Sequence, residues 1–410
     1  MTDDPQILIA GGGPVGLFSA LLLGSRGLKV RLFDLNETLQ NDPRAATTHP
    51  ATLEAINVDG LVEDMARVGL VAPFFQFWDR PTGRLVAEFD HALLAGDTRF
   101  PYVIQCEQFK TARLILERLK RLPNVEVLFG HEVTGVDQTD TGVIVTVRGP
   151  ARAEHHAGTF LIGADGGRSI VRKQCAIAFE GFTWDERFIV LTTPFDFETQ
   201  RGYSYRSYFA DPDEWCNCFK VAADGPPGLW RTVFPARGDV PEGELLGDGA
   251  VQARLQKFFP SDRPYEIVHR NLYTTHQRVA AHFRAGRVML AGDAAHINNP
   301  IGGMGLNGGL QDAANLAEKL CAILLDGASL ELLDLYDLQR RTLATEFVQE
   351  QSIANKRRLE AKDEETRRRN FAQLSATAAN PKKARDFLLR SSMIAGQRRV
   401  NAMTLADRST

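Results

Sequence analysis

Long apolar runs are missing from this 410-residue sequence. The longest near the start, Val15 to Leu23, is interrupted by Ser19, flanked by glycines and too short to span a bilayer. The opening Met-Thr-Asp-Asp-Pro carries no basic, signal-like stretch, so no membrane span and a cytoplasmic location are expected. Cysteine is scarce. The five residues, Cys106, Cys175, Cys216, Cys218 and Cys321, are odd in number and match no zinc spacing. That suits a reducing compartment, and no metal site is expected. A basic excess is also lacking: 48 Lys and Arg face 51 Asp and Glu, a net charge of −3. No nucleic-acid partner is expected. There are no internal repeats and no low-complexity tracts.

What is present is an ordinary globular balance, 44% apolar and 24% charged. The length exceeds what one hydrophobic core usually serves, which points to two packed domains. The chain opens as a βαβ unit: a buried strand Gln6 to Ala10, a helix Pro14 to Arg26 and a strand Leu28 to Leu35. Helices are predicted over Pro50 to Ala66 and Cys106 to Arg121. From about residue 180 short strands dominate, among them Phe188 to Thr192 and Tyr203 to Phe209, separated by Asp/Pro/Gly turns. Residues 1–180 therefore read as a Rossmann-like α/β domain with an inserted strand segment at about 70–100. Residues 181–275 read as a mostly antiparallel substrate domain, 276–345 as the completion of the first domain, and 346–410 as a helical tail. Lys356 to Arg369 carries charges of both signs and reads as a solvated helix face.

Three motifs carry chemistry. The first is Gly11-x-Gly13-x-x-Gly16 between the first strand and helix. Gly11 permits a tight turn, Gly13 lets the backbone approach a pyrophosphate, and Gly16 allows helix to pack on strand. Pro14 and Val15 open the helix, whose free amides favour negative charge. Asp34 ends the next strand, where a carboxylate accepts from a ribose 2′-hydroxyl and repels a 2′-phosphate. The second motif, Gly163-Ala164-Asp165-Gly166-Gly167, follows another strand and reads equally well as a turn. The third is Gly292-Asp293-Ala294-Ala295-His296, followed by Pro300-Ile301-Gly302-Gly303-Met304-Gly305-Leu306-Asn307. It delivers a carboxylate to a crevice and then bare backbone against a planar ligand. The amides of Leu306 and Asn307 are expected to face an electron-rich carbonyl of that ligand.

In this order and spacing the three motifs resemble the group A flavin monooxygenases, the family of p-hydroxybenzoate hydroxylase and phenol hydroxylase. The resemblance spans residue 1 to about 345. It implies bound FAD, with NADH or NADPH and dioxygen as co-substrates. It also implies hydroxylation of an electron-rich phenolic or heteroaromatic ring through a flavin C4a-hydroperoxide. Arg44, in Pro43-Arg44-Ala45, and Gln105 match positions that contact FAD in the family, and Val133 matches the residue whose backbone holds the adenine. Asp165 and Gly166 match an element tied to FAD and the nicotinamide nucleotide. Asp293, Pro300, Gly303, Gly305, Leu306 and Asn307 match the flavin-ring site. Asp34 stands where glutamate is commoner, and Asn299-Pro300 replaces Pro-Pro.

For the substrate side, His49, Tyr203, Tyr205 and Arg206 are the candidates, with Pro300 at the flavin. A loop or surface position for His49 weighs against its candidacy, and ordinary sheet packing against that of the tyrosines. The alternatives on the same fold are a flavin-dependent reductase, a halogenase or a non-catalytic binding protein. Trp78, Trp184, Trp215 and Trp230 form no halogenase Trp-x-Trp pair. Monomer and homodimer both remain open.

Overall fold

The computed structural model describes residues 6–41 and 45–409. A six-stranded sheet holds the first core, in the order Arg284–Ala285, Val288–Leu290, Phe160–Gly163, Ile7–Ala10, Val30–Asp34 and Val125–Phe129. All its pairs are parallel except the edge hairpin Arg284–Leu290. Strand period two sorts its faces. Phe33 meets His156 of a three-stranded antiparallel sheet. The helices Pro14–Ser25, Gln108–Leu119 and Met304–Asp326 pack together as the second covering layer. The result is a three-layer β/β/α Rossmann-like domain.

The second core straddles an eight-stranded sheet in which, among the described residues, the one parallel pair joins Phe74–Asp79 to Arg206–Ala210. The hairpin Phe74–Asp90 within the 70–100 segment thus belongs to this sheet. One face carries Phe75, Phe77, Phe89 and Tyr208 and is covered by the C-terminal helices through Phe371, Leu374 and Leu388. The other carries Trp78, Ile189, Leu191 and Phe209 and is covered by the helix Asp248–Phe258. The tail runs as the helices Glu350–Leu359, Glu364–Ala378, Pro381–Ser391 and Ile394–Asn401.

Three expectations change. The single helix Pro50 to Ala66 is two, Pro50–Ala55 and Leu61–Val68, because Asp59 and Gly60 take positive φ. The strand expected from Tyr203 starts at Arg206, because the Ser204 hydroxyl donates to Arg206 O and its amide to Gln76, which forms a turn. The stretch from Lys356 is not simply a solvated face. Lys356 is buried and paired with Glu186 at 2.7 Å, and Leu359 is in the core. Among the described residues no helix is long and apolar enough to cross a membrane.

Candidate active site

Four parallel strands, Ile7–Ala10, Val30–Asp34, Phe160–Gly163 and Val288–Leu290, end on one edge of the first sheet. All three motifs therefore emerge side by side. Gly11 has φ +107°, and a Cβ there would lie 2.2 Å from Ala164 O. A Cβ on Gly16 would lie 1.9 Å from Gly11 O. These two glycines are demanded by the protein itself. Gly13 is different, since a Cβ there would meet nothing within 4 Å. It is the N-cap of the helix that Pro14 and Val15 open, and no side chain caps that end. The open space and bare amides are where a pyrophosphate fits. Asp34 receives the amide of Gly12 at 2.6 Å and that of Asn36 at 2.8 Å, so its carboxylate is held against this turn. Arg44 lies outside the described residues.

The other motif residues divide. Asp165 accepts from Ser169 Oγ at 2.6 Å and from the amides of Ile170 and Val171, so its carboxylate caps the following short helix. Burial pushes its pKa up, against those hydrogen bonds. Gly166 next to it has φ +79°. Val133 sits in the strand Glu132–Gln138, paired with Val147. Gln105 is fully buried, accepting from Thr47 Oγ1 at 2.9 Å and donating to Tyr205 O. It joins the two domains. Asp293 is exposed on the turn after Leu290, and Pro300 is also exposed.

The glycine loop is held from behind. His296 Nε2 meets Asp312 at 2.8 Å, and Arg340 donates to Asp312 at 2.7 Å and to Gly308 O. Burial raises the Asp312 pKa, but His296 and Arg340 bring it below the ordinary carboxylate value. The helix starts at Met304 with Gly303 as an uncapped N-cap at φ +68°. The amides of Met304, Gly305 and Leu306 then have no intrahelical acceptor. Asn307 falls one position too deep to offer its amide. Its side chain instead accepts from the His49 amide at 2.8 Å and donates to Thr47 O and Gly303 O.

His49 is not a surface residue. It is fully buried with Nε2 2.8 Å from Gly302 O. A carbonyl can only accept, so Nε2 carries the proton and Nδ1 is an acceptor, which has no partner. His91, which no motif announced, repeats the pattern: Nδ1 donates to Pro73 O, and buried Nε2 has no partner. Burial, then the charge of Arg206, holds both pKa values down, that of His91 to about 4. Arg206 is buried, with Nε and Nη2 on Tyr208 Oη at 3.1 and 3.0 Å and Nη1 without a partner. No carboxylate pairs with it among the described residues.

Arg206 and Tyr208 line a narrow cavity with Phe75, Phe77 and Met304. Its remaining wall is the tail: Asn355, Leu359, Phe387 and Ser391. The cavity offers about 10 Å³, the room of one water. Tyr203 and Tyr205 are not there. They precede the strand, and the Ser204 turn directs them to the core on the other side of the sheet, packed with Trp78 and Trp230 respectively.

A family model described as FAD binding domain matches residues 4–351. The chain belongs to the FAD-dependent aromatic hydroxylases. It is 36% identical to para-nitrophenol 4-monooxygenase of Pseudomonas sp. (strain WBC-3), over 96% of each chain. It is 33% identical to 6-hydroxy-3-succinoylpyridine 3-monooxygenase HspB of Pseudomonas putida, over 88% of this chain and 90% of the relative. A crystal structure of p-nitrophenol 4-monooxygenase PnpA from Pseudomonas putida DLL-E4 superposes with a TM-score of 0.88 at 35% identity. That match covers 95% of this chain and 98% of the other. The hydroxylase is thus an FAD enzyme acting on an aromatic ring, with NADH or NADPH the usual co-substrate of such monooxygenases.

Proposed function

We propose that this hydroxylase acts on a one-ring phenol, para-nitrophenol being the first to try, bound as its phenolate against Arg206. The observation that carries this is the buried guanidinium with one nitrogen unpartnered and no acid beside it. Leaving such a charge uncompensated costs several kcal/mol, so the site is complete only with an anion in it. The aromatic walls Phe75, Phe77 and Tyr208 suit a ring and leave no second charge for a dianion. Relatives acting on a nitrophenol and a hydroxypyridine support the same class.

We assign the FAD pyrophosphate to Gly13, Pro14 and Val15, its ribose to Asp34, and its ring to the Gly302–Leu306 backbone. Bound FAD would carry electrons from the nicotinamide nucleotide to dioxygen, and dioxygen would supply the oxygen atom given to the ring. The chain's own residues handle the substrate. Arg206 stabilises the phenolate, which makes the ring carbons electron-rich. Tyr208 Oη already accepts two bonds from Arg206, so its own proton is free to donate to the phenolate. His49 and His91 lie outside the cavity wall, and their unpartnered Nδ1 and Nε2 are the candidate acceptors for the proton the phenol releases. Their depressed basicity means that they pass it on instead of keeping it. A cavity of about 10 Å³ is too small for a ring, so Phe387 and its helix must yield on binding.

The test is a panel of phenols, hydroxybenzoates and hydroxypyridines, scored by stimulated NAD(P)H oxidation and oxygen incorporation, on wild type and Arg206→Met. The variant should keep FAD and stability but lose about 10²-fold in kcat/KM toward the best phenol. Arg206→Lys should recover part of the loss. A variant within about twofold of wild type would remove Arg206 from the reading.

A further inference from the structure

Behind the ring cavity, across the same two strands, lies a larger space. Tyr208 pairs with Phe77, and both face the ring cavity. Their neighbours Phe209 and Trp78 pair with each other and face the opposite way. There they form the floor of a second cavity of about 250 Å³. Tyr203 and Phe258 complete its aromatic wall. Trp78 and Tyr203 meet edge-on at 4.9 Å, and Tyr203 and Phe209 at 4.8 Å. Its volume is enough for a single ring with a substituent, and most of the surface it presents is polar, so the aromatic residues offer the ring their edges and the polar mouth holds its substituent.

Its rim is cationic. Arg201 lies over the Phe259 ring at 5.2 Å, and Lys257 stands at the end of the helix Asp248–Phe258. Both are exposed, and neither pairs with a carboxylate among the described residues. Arg80 also lines the space, but Asp211 and Glu214 already neutralise it. Asp79 faces the same turn, its carboxylate engaged by Thr82 Oγ1 at 2.6 Å. The Tyr203 hydroxyl makes no hydrogen bond within the described residues, though the ring is buried. An aromatic floor, an open hydroxyl and two unpaired cations at the mouth suit a planar ring bearing one negative charge.

We propose that this second cavity binds a one-ring aromatic monoanion, a phenolate or a carboxylate, at a site distinct from the ring cavity. The ring lies against Trp78, Tyr203 and Phe209, and the charge meets Arg201 and Lys257. Because Trp78 and Phe209 are chain neighbours of Phe77 and Tyr208, an occupant here presses on the strands that shape the active site. This goes beyond the hydroxylation itself and does not depend on Arg206.

The holoenzyme provides the test. With NAD(P)H omitted and the ring cavity saturated by para-nitrophenol, 4-fluorobenzoate is titrated and followed by fluorine NMR. Wild type should bind one equivalent, by displacement where para-nitrophenol already fills the second cavity. Arg201→Ala/Lys257→Ala, both exposed changes, should weaken that binding by about tenfold or more. The sources are separated by para-nitrophenol alone: a second equivalent bound to wild type and lost in the double variant shows that the phenolate itself enters. If only 4-fluorobenzoate binds there, the carboxylate is the ligand. Failure of both probes to bind beyond one equivalent in total, or equal binding to wild type and double variant, overturns the proposal.

Discussion

The nucleotide edge and the ring cavity are built in opposite ways. The edge uses backbone at consecutive positions, where what matters is the absence of side chains. The cavity uses residues from segments scattered from Phe75 to Ser391. The lesson is that loss of function has different signatures in the two regions. At the edge a single methyl group breaks the fold or spares it depending on what stands within 4 Å, and it disturbs the ligand in either case. In the cavity the charge and protonation of a few buried groups decide.

The largest effect should come from the glycines, and it should split them. Gly16→Ala places a Cβ 1.9 Å from Gly11 O, a backbone atom that cannot yield without moving the strand. Overpacking of this kind costs on the order of 3 kcal/mol or more, and the protein should be insoluble or without flavin. Gly13→Ala meets no protein atom. It should fold with an unchanged melting temperature yet purify with little flavin absorbance, because the methyl group occupies ligand space. Equal flavin content in Gly13→Ala and wild type would show that the pyrophosphate lies elsewhere.

Acid should act on the cavity. His49 and His91 stay neutral in the folded protein because burial and Arg206 disfavour their cations. In the unfolded chain each takes up a proton below its ordinary value of 6.5. The unfolded state then binds more protons, so stability is complete above pH 6.5 and falls as the pH drops. For His91 the loss runs from pH 6.5 to about 4. Each histidine contributes about 1.4 kcal/mol per pH unit within its window. Urea unfolding at pH 7 and pH 5 should show this loss, and His91→Gln should remove part of it. A His91→Gln protein as acid-sensitive as wild type would mean that His91 is charged in the fold.

The same contrast explains what was legible beforehand. Gly11, Gly13, Gly16 and Asp34 are close in sequence, and their strand-turn-helix setting follows from local pattern. The cavity has no such signature. Period two puts Arg206 and Tyr208 on one strand face, but nothing in the sequence says which face meets the glycine loop. The sequence pattern starts the strand at Tyr203, whereas the Ser204 turn delays it to Arg206. His49 looked like a loop residue because burial by Gly302 and Asn307 spans some 250 positions. Phe75 and Phe77 are two apart on one strand, as a shared face requires, but their neighbours Phe74 and Trp78 are aromatic too, so the pattern does not single that face out. Phe387 and Ser391 carried none, since only the closed fold brings the tail over the cavity.

That closure supplies the smallest and sharpest test of the comparison. The tail is pinned by Asp97, whose carboxylate is almost fully enclosed. Arg385 donates to it at 2.7 and 2.8 Å, and Arg398 at 3.0 Å. Both arginines are about half exposed, so solvent screens the pairs, and each is worth about 1 kcal/mol at most. Arg385→Ala/Arg398→Ala should lower the melting temperature by a few degrees and leave flavin content as in wild type. Its effect belongs to the ring cavity, because Phe387 lies on the same helix as Arg385 and stacks on Phe89 at 4.5 Å. A looser wall opens more readily, so the phenol should enter faster while water reaches the site more easily. Oxygen incorporated per NAD(P)H consumed should therefore fall even where the rate of NAD(P)H oxidation rises. A double variant that loses flavin but keeps this ratio would place the tail's influence at the nucleotide edge instead.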